Sequence, residues 1–310
     1  MGAMEMVNEV DRQFRALHEQ SVQAYEARVK RWKDGLDERR KRSQTDEKEI
    51  RDSLKKSGTD LALLDQRAKR AADDLQAYLK SARPALVNRE SGRVSDYKQR
   101  ALETSLLGEV CRTQIPPYTA SLMASERSYL EGNKGEIHNP WIFPVNPGQI
   151  NLFNRDTGDG WGCWATASGP PPTATVWFTF VPDRSARWEL SPIFVFHGFY
   201  IMRADDGIFT CKNADVEMEA KVDIFQYFWK GAKTFKLIDE DKDDVDLVEF
   251  YDRTEWLWDT TYLRAGDRVW VKVDVSVDAL ASGGGSYAEI NFSDGAANYI
   301  EPLLMTAQVV

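Results

Sequence analysis

Residues 37–50 read DERRKRSQTDEKEI: four cations in a row, Arg39, Arg40, Lys41 and Arg42, then Ser43-Gln44-Thr45, then the acids Asp46, Glu47 and Glu49. A helix leaves bare carbonyls at its C-terminal end and bare amides at its N-terminal end. Cations favour the first and anions the second, by roughly 0.3–1 kcal/mol each. This order of charges predicts that one helix closes at Arg42 and another opens at Asp46. Ser43-Gln44-Thr45 would form the turn, with Thr45 as N-cap.

Apolar spacing on both sides supports two arms, about 5–42 and 46–82. From Ile50 the sequence runs Leu54, Ser57, Leu61, Leu64, Ala68, Ala71, Leu75, Tyr78 and Ala82, in alternating steps of four and three. That rhythm is a coiled-coil seam. Val7, Val10, Phe14 and Leu17 share it, and Val22, Tyr25, Val29, Trp32 and Leu36 resume it after a slip of one residue. Folding about residue 44 sets Phe14 near Leu75 and Tyr25 near Leu64. A competing reading continues the first helix to Lys56 and breaks it at Ser57-Gly58-Thr59-Asp60. It makes the arms unequal and leaves the charge order unexplained, so the antiparallel hairpin is preferred. Pro84 is expected to end the second arm. A third helical piece is expected at 94–107. A narrow seam buries little by itself, so self-association through the helices is expected.

After residue 110 the composition changes. Residues 1–110 carry 23 Lys+Arg against 20 Asp+Glu; the remainder carries 17 against 29. Nine of the ten Trp lie after residue 140. Val269, Val271, Val273, Val275 and Val277 alternate with Trp270, Lys272, Asp274 and Ser276, which is a half-buried strand. Similar runs at 173–181, 193–202, 216–228, 245–251, 255–263, 286–292 and 303–310 are separated by Gly/Asp/Asn turns. The expected fold is a helical hairpin or coiled coil followed by an all-β sandwich of jelly-roll type. The expected division is a stalk over 1–110, a Pro/Gly-rich neck over 111–172, and a sandwich head over 173–310.

Function is less legible. GxSxG, HExxH, Walker and dinucleotide motifs are absent. Cys111, Cys163 and Cys211 form no CxxC pair, and the three His do not suggest a metal cluster. The acidic C-terminal part and the short, acid-flanked Arg39–Arg42 cluster argue against nucleic acid. No apolar run approaches the roughly 18 residues of a membrane span. Gly2-Ala3 ahead of Met4 reads as a cloning remnant, which makes a leaderless, cytoplasmic protein the default and leaderless export the alternative.

Two kinds of site stand out. Exposed Trp beside Asp can stack on sugars or anchor a protein, so Trp161, Trp256, Trp258, Asp156 and Asp159 are candidate ligand-binding residues. Asp239, Asp241 and Asp243 match the first three ligand positions of a calcium loop. The match fails at Asp244, where glycine is needed, and at Phe250, where glutamate is needed, so an acidic hairpin loop is the reading and calcium the one cofactor to test. The functional expectation is a non-enzymatic structural or binding protein: helices that assemble with copies of themselves, and a head that binds a glycan or a protein. The alternatives are a leaderless toxin or secretion-system component, with direct membrane insertion disfavoured by the polar helix faces, and a carbohydrate-active enzyme.

Overall fold

The computed structural model describes residues 2–89, 113–115, 150–158, 171–204 and 212–310. The chain divides into two compact units, Met1–Leu61 and Ala62–Val310.

The first unit is one helix, α1 (Gly2–Lys56), which passes without a break through residues 43–45. This corrects the expected turn. Thr45 Oγ1 donates to the Lys41 carbonyl at 2.9 Å, a mid-helix bond rather than a cap. Ser, Gln and Thr cost at most about 0.7 kcal/mol each in a helix. End-charge effects of similar size cannot offset losing a turn's worth of backbone bonds. The helix stops where a residue can take a left-handed backbone: Gly58 has φ 79°. Its amide bonds to the Lys55 carbonyl at 3.2 Å, and the Thr59 amide to the Leu54 carbonyl at 3.0 Å. That pair of bonds is the Schellman termination. The 55 residues of α1 correspond to about 82 Å. Phe14, Leu17, Ser21 and Tyr25 are buried along one stripe, Phe14 to 1% exposure. Burial raises the Tyr25 phenol to about 12, against the smaller opposing effect of Arg28.

The second unit joins α2 (Leu61–Val87) to a β-sandwich of two antiparallel sheets. Its strands are β1 (Thr113–Ile115), β2 (Leu152–Thr157), β3 (Thr173–Phe180), β4 (Ala186–Ala204), β5 (Asn213–Gln226), β6 (Phe228–Lys242), β7 (Val245–Trp256), β8 (Asp259–Leu263), β9 (Val269–Ser282), β10 (Tyr287–Phe292) and β11 (Tyr299–Val309). Among the described residues one sheet has seven strands, in the order β1-β11-β4-β10-β2, with β7 and β8 also on β4. The other has four, β3-β9-β5-β6. The alternation in β9 places Val269, Val271, Val273, Val275 and Val277 in the core between the sheets, facing a layer that includes Phe194, Phe196 and Met202 of β4. Each such side chain contributes roughly 1.5–3 kcal/mol by burial. Gly198 of β4 leaves room for a ring: a Cβ there would lie 2.3 Å from Phe292.

Four further expectations change. Asp239, Glu240 and Asp241 lie on β6, and the turn shrinks to Asp243-Asp244. As an edge strand β6 needs no apolar alternation on its open side, so its sequence looks like a loop. The stretch 255–263 is not one strand: β7 ends at Trp256, and Leu257 and Trp258 lead into β8. The segment read as a neck of irregular loops with a few short strands supplies two strands of the larger sheet, β1 and β2, so these belong to the sandwich rather than to a division of their own. Finally, α2 belongs to the compact unit of the sandwich, because its apolar face has a partner there. Leu75 and Leu86 pack with Phe199, Ile201 and Tyr287 on the outer face of the larger sheet.

Polar contacts fix the same joint. Arg83 pairs with the fully buried Glu289 at 3.0 Å and with Asp294. Arg89 donates to both oxygens of Asp252 at 2.8 Å, and Asn298 donates to the Leu86 carbonyl at 3.2 Å. These contacts explain why Pro84 does not end the helix, which runs on to Val87. Proline forfeits one backbone bond, and the pairs on either side hold the final turn in place. The expected helix at 94–107 lies outside the described residues.

Candidate functional site

The sandwich exposes aromatic rings at the β5–β6 turn and around the β7–β8 connection, together called its aromatic rim below. β5 and β6 are joined at Tyr227, whose φ of 69° makes the turn. Tyr227 and its neighbour Phe228 are both exposed. The base of this turn is rigid. Gln226 is buried, donates to the carbonyls of Arg264 and Asp267 at 2.9 and 3.0 Å, and accepts from the Arg264 amide at 2.9 Å. The Lys230 ammonium sits 4.1 Å from the centre of the Phe228 ring. Further along β6, the Lys233 ammonium lies 3.1 Å from the Trp258 ring centre and donates to the Trp258 carbonyl at 3.0 Å. Trp258 is 48% exposed, Trp256 39% and Tyr262 63%. A ring held by a cation on one side and a backbone bond beneath keeps its open face oriented.

Trp177, Trp188 and Trp270 are buried in the sandwich. Trp177 and Trp270 meet edge to face at 6.3 Å, and Trp229 lies 6.2 Å from Trp177. The two Trp named from the sequence that fall among the described residues, Trp256 and Trp258, are therefore ones that do reach solvent. Trp161 and Asp159 lie outside the described residues. Asp156 is buried, and its Oδ2 accepts from the Ala281 amide at 2.9 Å, which ties β2 to β9. Cys111, Cys163, Cys211 and His138 also lie outside the described residues.

Asp239 and Asp241 belong to a broader acidic face that spacing alone could not reveal. Register places Glu217 of β5 directly between Asp278 of β9 and Asp239 of β6, and Asp215 beside Asp241. Lys236 bridges part of it, 2.9 Å from Asp239 and 3.6 Å from Glu217. Like charges facing across strands repel. Burial, then the neighbours Asp241, Glu217 and Asp239, raise Asp215 to about 6. Burial is also the main reason Asp278 rises to about 7, with Asp215 and Glu217 adding to it. Asp243 sits apart at the β6–β7 turn. Among the described residues no three His, Cys, Asp or Glu are gathered to hold a metal ion.

His197 is buried on β4, its Nδ1 3.4 Å from Asp252 Oδ1. Burial alone would raise the Asp252 carboxyl. The hydrogen bond to His197 and the Arg89 guanidinium reverse this and hold it below its ordinary value. The group works as a joint between α2 and the sheet. No helix among the described residues is long and apolar enough to cross a membrane.

Residues 3–127 match the family described as the IRSp53/MIM homology domain, IMD. The match places a helical-domain family at the N-terminus and covers less than half of the chain. No curated protein matches the sequence. Among solved structures, the chain is similar to TmCBM61, whose structure is described in complex with beta-1,4-galactotriose, at 7% identity and a TM-score of 0.13. That similarity covers 42% of this chain and 64% of the other, under two thirds of its length. A likeness with that score says nothing about what this chain binds.

Proposed function

We propose that this is a non-enzymatic binding protein whose helical unit joins copies of the chain and whose sandwich presents the aromatic rim to a glycan. The observation that carries it is a change in burial along one stripe of α1. At about 100° per residue, Ile50 and Leu54 lie within about 20° of Tyr25 around the helix axis. Tyr25 is buried, Leu54 is half-buried and Ile50 is 40% exposed. A lone helix does not bury a phenyl ring to 1%, so the stripe is a packing face, and Ile50 on the same stripe is 40% exposed. A second copy supplies the apolar surface such a seam needs.

Light scattering of the full chain tests this. The expected result is a mass above one chain, with Ile50→Glu shifting it toward the monomer. A monomer at all concentrations sinks the assembly reading. For the head, open Trp faces bordered by lysine and backbone acceptors suit sugar rings, which offer C–H faces and hydroxyls together. A glycan array on the full chain should give specific binding, and Trp258→Ala should weaken it more than tenfold, the scale of a central aromatic contact. A positive array signal untouched by Trp258→Ala and Trp256→Ala removes the rim from the proposal.

A further inference from the structure

β7 is an open edge of the larger sheet. Among the described residues it pairs only with β4, over 12 residues and without a register shift. Proteins usually protect such an edge with lysine, proline, a bulge or a covering segment. β6, the open edge of the smaller sheet, carries Lys230, Lys233 and Lys236 and two register shifts against β5. β3, at the far side of that sheet, is buried from Thr173 to Phe178. β7 contains no lysine, proline or glycine, and its Val248 and Phe250 are 38% and 46% exposed. We infer that β7 pairs antiparallel with β7 of a second copy, about a two-fold axis at Tyr251, so that two sandwiches share one continuous larger sheet. This contact is additional to the helical one and does not rest on it.

The side chains flanking Tyr251 are self-complementary in charge. Glu249 and Arg253 lie two residues to either side of it, on the same face of the strand, and both are exposed. Neither makes an ion pair among the described residues. Both are held in place: Glu249 accepts from the Tyr200 hydroxyl at 2.6 Å, and the Arg253 guanidinium lies 4.9 Å from the Tyr251 ring centre. With the axis at Tyr251, Arg253 of each copy stands opposite Glu249 of the other, which makes two ion pairs. Elsewhere Val248 meets Thr254, Leu247 meets Glu255, Phe250 meets Asp252 and Asp246 meets Trp256, so no like charges are opposed. Asp252 is already paired with Arg89 at 2.8 Å. An axis at Glu249 or at Asp252 would set identical carboxylates face to face, which is destabilising. An axis at Phe250 would face Glu249 with Tyr251 and Arg253 with Leu247, leaving both charges unmatched. Charge thus selects one register, and the backbone groups on the free side of β7 supply the hydrogen bonds of strand addition.

Sedimentation velocity of the full chain at low ionic strength tests the inference. Arg253→Glu should weaken self-association at least tenfold, because it sets carboxylates opposite each other at both ends of the pair. Glu249→Arg should do the same with two guanidinium groups. The two changes combined should restore wild-type association, since the ion pairs re-form with their signs exchanged. The helical contact is read separately by Ile50→Glu, so loss of either joint shows by itself. A second measurement decides if a charge variant melts early. Val248 and Thr254 of one chain are roughly 20 Å apart along the strand, beyond the reach of a disulfide, but across the two-fold axis they are opposed. Val248→Cys combined with Thr254→Cys should therefore give, on mild oxidation, a covalent dimer on a non-reducing gel that the wild type with its three native Cys does not give. Wild-type association in Arg253→Glu, a double exchange that stays as weak as the single variants, or no covalent dimer beyond the wild type's overturns the proposal.

Discussion

Asp278 makes the most direct statement about pH. In the folded chain its carboxyl holds a proton up to about 7, against an ordinary value of 3.8. Between those values the folded state binds a proton that the unfolded state has released. Stability therefore falls as pH rises from about 4 to about 7 and stays low above that. Asp215, raised to about 6, acts with the same sign. Asp278→Asn retains an acceptor for the Asn154 side chain and the Ala279 amide, which the carboxylate now serves at 3.1 and 3.0 Å. The variant should match the wild type in thermal melts near pH 4 and exceed it at about pH 8, by on the order of 2 kcal/mol. Equal melts at both pH values would show that Asp278 ionises without cost. None of this was visible in the sequence. Asp278 is remote in sequence from Asp215, Glu217 and Asp239, and strand register brings them together.

Among the elements, α1 shows how weak local signals lose to backbone continuity. The cations and acids around 43–45 fit two helix ends, but they also fit one helix whose charges neighbour each other at three and four residues. Arg51 lies 3.7 Å from Glu47 in that way. Gln44→Pro separates the two structures. In an unbroken helix it costs about 3 kcal/mol or more, and far-ultraviolet circular dichroism should report lost helicity with an earlier melt. In a turn the same change would be close to neutral. The strands were legible wherever one face is buried, as in β9, whose five valines line the core. β6 was not, since an edge strand's outer residues answer to solvent. The candidate rim was partly legible: a Trp-rich sequence named Trp256 and Trp258. The lysine partner of Trp258, Lys233, lies on β6 and gave no signal.

For the entire chain, charge is distributed as the composition implied, with an excess of acid after residue 110. Rows of facing carboxylates on the smaller sheet repel, and salt screens them. Raising ionic strength from about 20 mM to about 300 mM should increase the melting temperature near neutral pH by roughly 2–4 °C, the equivalent of about 1 kcal/mol for a chain of this size. A melt that falls with salt would mean that the attractive pairs, Arg83 with Glu289 and Arg89 with Asp252, outweigh the repulsive rows.

Periodicity by itself determined that helices come first and a sandwich follows, because a repeat of three and four or of two is a local property that burial of one face imposes. Which glycine ends the first helix, which helix rests on the sheet, and which carboxylates face each other were decided by the tertiary structure. Those outcomes depend on partners distant in the chain, and the free energy of such contacts exceeds the few tenths of a kcal/mol that separate one local reading from another.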